Sequence, residues 1–501
     1  MAPDRQIETK TNRRSYLKLA GIAAGSTAMV GKSVAAPSDL EDKYETVIDV
    51  TDEGADPTGN ESITPIIEEL AGSDTLLKFP SGDYYIDKRI RVTGCNNFGM
   101  VGNDATLIPA PFDEFDDSGD WNYKLFRLGV DYDPVTDLRV ENFTVDMSRD
   151  NTGVRVIDAA ADDGMIVRDI EVVGRHDTGA WGPGRFVITS AEGTGLVERF
   201  SAPDGAAATE NAPGDKLEWG PTGILCNTNE GTITFRDCVL GSFPDHGLYA
   251  SNGAGSVHIE GGRYQNSLGA NVRIGGIDSY IEDTTIVVDQ QDGFGRSQQG
   301  LRFENGEKVV ATNVDIQSNV SDSPPVWIDD SASQSRLEDS TVTVRTDGTT
   351  PAVTVRSGTG TTVLQRCDIT HETGGGSAVK IKEGGGRVKL LDTSITGEAA
   401  ANGTYSAIYN DRDDSLFAGL TVDHGGDSGR HALTNTAAGC TIQGGTYVSE
   451  SHAVVEGGNG TLIEGITARS RSGKPGLQIL ESTENLTMRN NDIEGGVEDE
   501  R

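Results

Sequence analysis

The chain has 501 residues, 78 of them acidic and 42 basic, for a formal net charge of −36, which excludes a protein that holds nucleic acid by its overall field, since that field repels phosphates. Hydrophobic residues make up 35% and aromatics 6%, against 64 glycines, which excludes a helical bundle and a multi-span membrane protein. Apolar residues nevertheless recur at regular intervals, which excludes wholesale disorder.

Asp outnumbers Glu, 47 to 31, and Arg outnumbers Lys, 29 to 13. Such a surface is similar to those of proteins from salt-loving organisms. At about 1 M salt the Debye length is roughly 3 Å, so the self-repulsion is nearly screened; in dilute buffer it loosens the fold. Near the N-terminus, Asn12-Arg13-Arg14-Ser15-Tyr16-Leu17-Lys18 precedes a mild apolar run from Leu19 to Val30, and Val34-Ala35-Ala36 supplies small residues before Pro37. This resembles a twin-arginine export signal, residues 1–36, removed to leave an extracellular chain from about residue 37. The apolar run is too short to span a bilayer, and no later stretch approaches the roughly 18 apolar residues that a span needs.

Residues 37–110 read as a cap with the first turns of a larger repeat. Thr46-Val47-Ile48-Asp49-Val50 predicts a strand and Gly54-Ala55-Asp56-Pro57-Thr58-Gly59-Asn60 a loop. Ile63 to Leu70 predicts a short amphipathic helix, and Phe79-Pro80-Ser81-Gly82-Asp83-Tyr84-Tyr85-Ile86 a second strand. Repeats then occupy residues 111–501. Val167-Arg168-Asp169-Ile170-Glu171-Val172 returns as Phe235-Arg236-Asp237-Cys238-Val239-Leu240 and again as Leu337-Glu338-Asp339-Ser340-Thr341-Val342.

The pivot of this pattern falls at Asn142, Asp169, Asp237, Gly261, Asp283, Asn313, Asp339, Arg366, Asp392, Gly419, Gly444, Gly465 and Asn490. From Asp237 onward the steps are 21 to 30 residues. Most pivots are Asn, Asp or Gly, which adopt a left-handed backbone at low cost, as a sharp bend between short strands requires. Residues 174–222 interrupt the pattern and read as an insertion.

A further strand recurs in each copy with period 2, as in Gly247-Leu248-Tyr249-Ala250 and Asn271-Val272-Arg273-Ile274. Short strands, tight bends and a period near 25 predict an all-β solenoid, a parallel β-helix; propeller blades need about 40 residues each. Five scattered cysteines, Cys95, Cys226, Cys238, Cys367 and Cys440, make neither a disulfide framework nor a metal-ligand set.

The opening at residues 46–86 resembles the start of the pectate lyase superfamily of right-handed β-helix proteins. There a Gly-Ala-x-x-x-Gly loop, a capping helix and a Phe-Pro-x-Gly-x-Tyr strand begin the solenoid. The resemblance implies a single-stranded right-handed parallel β-helix with an N-terminal capping helix. The superfamily holds lyases, hydrolases, epimerases and non-catalytic members, so the reaction stays open.

Aligning the period-2 strands predicts one outward column: Leu225, Tyr249, Arg273, Arg302, Trp327, Thr354, Lys380 and Tyr409. Asp245 and His246 precede the Tyr249 strand, and Glu304 and Asp329 follow Arg302 and Trp327 by two residues. Aromatics stack on sugar faces and Arg clamps carboxylates, so the column predicts a polysaccharide groove, with Trp327, Glu304 and Asp329 binding substrate. Trp181 and Arg185, from the insertion, would wall it.

The reading placed first is a lyase on a uronate polymer. Arg273 or Arg302 would neutralise the sugar carboxylate, and His246 or Tyr249 would take the C5 proton. The alternative is a non-catalytic carbohydrate-binding or cell-surface protein on the same face. A hydrolase comes third, with Asp245, Glu304 and Asp329 as its candidate carboxylates, because Asp245-His246-Gly247 resembles the Gly-His-Gly motif of polygalacturonases and Arg273-Ile274 their Arg-Ile-Lys, with Gly275 in place of the Lys. A concave cleft around His246, Tyr249 and Arg273 would favour an enzyme; a flat face with every Arg paired to an acid would favour binding. No cofactor is demanded by any motif. Calcium has one candidate, the acidic run Asp113-Glu114-Phe115-Asp116-Asp117. Nothing in the repeat sets the oligomeric state.

Overall fold

A computed structural model describes residues 38–116, 122–208, 218–291, 297–399 and 406–501. The twin-arginine segment, residues 1–36, lies outside the described residues, as does Asp117 of the acidic run. Residues 1–42 and 43–501 are separate units, and the described part of the first carries one helical turn, Ser38–Glu41.

The second unit is a parallel β-helix in which each coil after the first contributes strands to three sheets. Sheet I runs from Ile90–Val92 to Val497–Asp499, sheet II from Thr46–Asp49 to Thr487–Arg489, and sheet III from Thr58–Ser62 to Asp492–Ile493. One coil shows the order: Ser279–Glu282 in sheet II, a bend at Asp283, Thr285–Val288 in sheet III, then Gln298–Gly306 in sheet I.

Every predicted pivot sits at the bend from sheet II to sheet III with a left-handed backbone, φ from 48° at Asp339 to 69° at Gly261. A side chain with a Cβ pays about 1–2 kcal/mol for this conformation, least for Asn and Asp. Arg366 is the exception among the pivots, and a fixed partner compensates it. Its guanidinium grips Asp339, the pivot one coil earlier, with two bonds of 2.8 Å. The same device reveals a pivot that the pattern skipped. Arg199 has φ 50° and holds Asp169 through bonds of 2.7 and 2.9 Å.

Arg199 shows what residues 174–222 contain. Gly184–Ile188 and Thr194–Ala202 pair in register with the coils on either side. The interruption therefore holds regular solenoid strands, and the added length falls between them, at 174–183 and after Ala202, where residues 209–217 lie outside the described residues. The period was hidden because Arg is not a residue type expected at a left-handed position.

Inside, identical positions stack coil upon coil. In sheet II, Phe235, Ile259, Ile281, Ala311, Leu337, Leu364 and Leu390 form one buried column. Each Leu, Ile or Phe so buried contributes roughly 1.5–3 kcal/mol. The sheet I interior changes character near its end. Asn410 Nδ2 donates to Asn435 Oδ1 at 2.8 Å, and Asn435 Nδ2 donates to Glu456 Oε1 at 2.9 Å, all fully buried. Burial raises the Glu456 carboxyl to about 6.

The predicted helix forms at Thr64–Leu70, with Pro65 in its first turn. It follows the first sheet III strand, where a sheet I strand would otherwise come, and packs on Ile90–Val92. Ile63 and Ile67 are buried and Ile66 and Leu70 lie against the core, so one apolar stripe covers the first sheet I edge. All five cysteines are free, and all but Cys95 are buried.

Candidate functional site

The predicted outward column forms in register along sheet I. Leu225 faces Tyr249, Tyr249 faces Arg273, Arg273 faces Arg302 and Arg302 faces Trp327. Thr354, Lys380 and Tyr409 continue it. Its members point outward because the residues flanking each, such as Leu248 and Ala250 around Tyr249, fill the interior. Parallel pairing sets a rise of about 4.8 Å per coil. The ladder also extends upstream through Arg185, Asp158, Arg127 and Arg91.

From Tyr249 to Arg356 the column is a continuous polar network. The Arg273 guanidinium carbon lies 4.0 Å from the Tyr249 ring centre, and its Nη2 donates to Glu304 Oε1 at 2.7 Å. Arg302 Nε lies 2.6 Å from Glu304 Oε2, and Arg302 Nη2 donates to Asp329 Oδ2 at 3.1 Å. Trp327 Nε1 and Arg356 Nη1 donate to the same Asp329 oxygen at 3.0 and 3.3 Å. Burial works to raise the Asp329 carboxyl. Its contacts with Asp330, Trp327 and Arg302 outweigh that and hold it well below the usual carboxylate range. Arg273, Arg302 and Arg356 thus share the carboxylates of Glu304 and Asp329, and Arg356 also lies 3.5 Å from Asp330.

His246 is buried against Tyr249, ring centres 5.1 Å apart. Its Nδ1 accepts a bond of 2.9 Å from the Ala270 amide on the next coil. An imidazole that accepts at Nδ1 carries its neutral-state proton at Nε2. Nε2 faces Arg273 Nη1 at 3.2 Å and Asp245 Oδ1 at 3.6 Å. Burial first, then the charges of Arg273 and Arg302, push His246 down to about 4 against the pull of Asp245. The ring is therefore neutral at pH 7, with its lone pair committed to the backbone. Asp245 accepts from Thr222 Oγ1 at 2.6 Å, and the Tyr249 hydroxyl accepts from Asn252 Nδ2 at 2.7 Å.

Arg185 belongs to the column itself, two coils before Tyr249, rather than to a wall. Trp181 instead stacks under a different arginine, its ring centre 5.1 Å from the guanidinium carbon of Arg155. These two lead to a group absent from the sequence expectation. The buried Asp158 carboxylate meets Lys124 at 2.5 Å, Arg185 at 3.2 Å, Arg127 at 3.7 Å and Arg155 at 3.9 Å. Carrying the column alignment three coils upstream of Tyr249 would have found Asp158. Lys124 and Arg155 stand off the column and carried no such signal.

Of the acidic run, Asp116 is exposed and lies 3.9 Å from Lys88. Among the described residues no group of three or more His, Cys, Asp or Glu side chains is arranged to hold a metal ion. A cavity of about 540 Å³ lies on sheet III, away from this face, lined by Thr396, Glu398, Asp423, Glu450 and Arg471.

No protein-family model matches the sequence, and no curated protein matches it. Among solved structures, the chain is similar to PfbA, a surface adhesin of Streptococcus pneumoniae, at 11% identity and a TM-score of 0.36, over 90% of this chain and 93% of that one. It is similar to tailspike protein 3 of bacteriophage CBA120 at 10% identity and a TM-score of 0.34, over 92% and 64%. It is also similar to the A-module of a mannuronan C-5 epimerase of Azotobacter vinelandii at 14% identity and a TM-score of 0.25, over 91% and 98%.

Proposed function

We propose that the protein is exported and binds a polysaccharide along the outward face of sheet I without cleaving it. The observation that carries this reading is the ladder from Tyr249 to Arg356, in which every arginine already faces a carboxylate. Such a ladder is rigid before a ligand arrives, and its edge offers oriented donors, acceptors and two aromatic rings, Tyr249 and Trp327, to sugar hydroxyls and sugar faces. Elimination asks for more: an arginine free to meet the uronate carboxylate and a base with an open lone pair. Arg273 is held by Glu304, and the His246 lone pair by Ala270.

A lyase is the second reading, because His246, Tyr249 and Arg273 do meet on one surface and the Tyr249 oxygen remains a candidate base. One pair of assays separates the two. Affinity electrophoresis in about 2–3 M salt, where the −36 charge is screened, would use uronate and neutral polysaccharides, with absorbance at 235 nm followed in parallel. Binding is expected to weaken tenfold or more in Trp327→Ala and Tyr249→Ala, with no absorbance rise. A rise lost in Arg273→Ala would replace binding with β-elimination, and retardation unchanged by either aromatic variant would remove this face.

Export is tested on its own. Replacing both Arg13 and Arg14 by Lys is expected to retain the protein inside the cell. Unchanged appearance in the medium would remove the twin-arginine reading.

A further inference from the structure

Two buried arginines of this chain make an instructive contrast. Arg412 is 1% exposed, and each of its nitrogens is satisfied by the backbone: Nε by Lys382 O at 2.7 Å, Nη1 by Gly386 O at 3.0 Å, Nη2 by Arg356 O at 2.6 Å. It is a structural strut. Arg155 is 2% exposed and is not satisfied in this way. Its Nε donates to Gly182 O at 2.9 Å, its Nη1 lies 3.9 Å from Asp158, and its Nη2 is buried with no partner.

The surroundings of Arg155 are short of negative charge. Lys124, Arg127, Arg155 and Arg185 converge on one buried carboxylate, Asp158, and among the described residues the remaining acid in ion-pair range is Asp131, on Arg185 at 3.3 Å. Four cations therefore meet two carboxylates, and the Asp131 side chain is 63% exposed. Buried charge without a counter-charge is strongly unfavourable, and guanidinium cannot shed its proton to escape. Titration agrees with the geometry. Burial pushes Lys124 down to about 8 despite Asp158, and pushes Arg155 down to about 10 with repulsion from Arg185 and Arg127 adding to it. On a chain of net charge −36, this local excess of cations stands out.

The cluster is reachable. The Arg127 and Arg185 side chains are 29% and 15% exposed, whereas Lys124 and Arg155, on the same carboxylate, are buried. Beside them Tyr132 presents an aromatic ring that is 82% exposed, its hydroxyl accepting from Arg91 Nη2 at 3.3 Å. Arg91 is itself the next residue of the outward column. The arrangement is a cationic seat with an aromatic plate at its rim, on the same face of sheet I as the proposed saccharide ladder.

We propose that Lys124, Arg127, Arg155 and Arg185 form an oxyanion site that takes the carboxylate or sulfate group of an acidic saccharide. The site stands on its own geometry; that its ligand is a saccharide rests on the function proposed above. A carboxylate or sulfate would give the guanidinium groups paired acceptors and supply the missing negative charge. Acid selectivity would then come from this seat, while the ladder from Tyr249 to Arg356, whose three arginines meet Glu304, Asp329 and Asp330, holds the sugar chain.

The test is isothermal titration of the full-length protein in about 2–3 M KCl, with screening as above. The probes are sodium sulfate, sodium glucuronate and, as a neutral control, glucose. Saturable binding of sulfate or glucuronate, absent for glucose and weakened tenfold or more in Arg127→Met/Arg185→Met, is the expected result. Sulfate alone would assign a sulfated ligand, glucuronate alone a uronate. Heat no greater than that of glucose, or anion binding unchanged in the double variant, would overturn the site. A structural readout runs beside it. In a cluster with surplus positive charge, Arg127→Met is expected to leave the ligand-free melting temperature unchanged or higher. A clear fall would mean that Arg127 is a needed partner of Asp158, and would also overturn the proposal. If sulfate binds but no polysaccharide does, the saccharide reading fails and the oxyanion site stands.

Discussion

Acidification from about pH 7.5 to about pH 5 is expected to remove roughly 2 kcal/mol of stability for each of four buried histidines. Burial pushes His176, His246 and His371 down to about 4 and His424 to about 2. All four values lie below that of an unfolded histidine, about 6.5. The unfolded chain therefore takes up protons first as the pH falls. The stability is fully present above about pH 6.5 and drains away toward pH 4. Glu456 works in the opposite direction. Its folded value, raised to about 6, returns about 1 kcal/mol over the same interval. The histidines outweigh it.

Denaturant midpoints in about 2–3 M KCl measure the effect, since that salt suppresses the general response of the acidic surface. His371 supplies the control. It is 0% exposed, and neither ring nitrogen has a hydrogen-bond partner. His371→Leu is expected to be no less stable at pH 7.5, because it removes unsatisfied buried polar atoms, and to recover part of the loss at pH 5. A midpoint independent of pH between these values would contradict the account.

Asp158→Asn is expected to destabilise the solenoid by about 3–5 kcal/mol, the range for breaking a buried ion pair from one side. Burial alone would raise this carboxyl. Arg155, Lys124 and Arg185 outweigh it and hold Asp158 at about 2, so its charge is present at every pH at which the protein is handled. The amide leaves the size of the side chain nearly unchanged, so the loss reports charge rather than packing. Thermal melts with and without sulfate read it directly. A variant within about 0.5 kcal/mol of the parent, the range of ordinary surface changes, would mean that the four cations do not need this carboxylate.

Much of this is written in the chain itself. The left-handed bends at Asn142 through Asn490 were legible because few residue types tolerate that backbone. The sheet I column from Leu225 to Tyr409 was legible because strand alternation has a period of 2 and parallel coils stack without slipping. The cap at Ile63 to Leu70 followed from a 3.6-residue stripe ahead of a strand.

What stayed hidden depends on neighbours that lie one or two coils away. Arg199 bends left-handed because Asp169 grips it from the previous coil, not because arginine favours the conformation. The role of His246 turns on one proton, and the amide of Ala270 decides its place. Lys124 and Arg155 open the strands Lys124–Leu128 and Arg155–Asp163, three residues before Arg127 and Asp158, an odd offset that strand alternation does not place on the column; the fold alone brings them to Asp158. A short-range backbone preference writes itself into local residue type, whereas the charge balance around a buried group is a sum over strands that only stacking brings together.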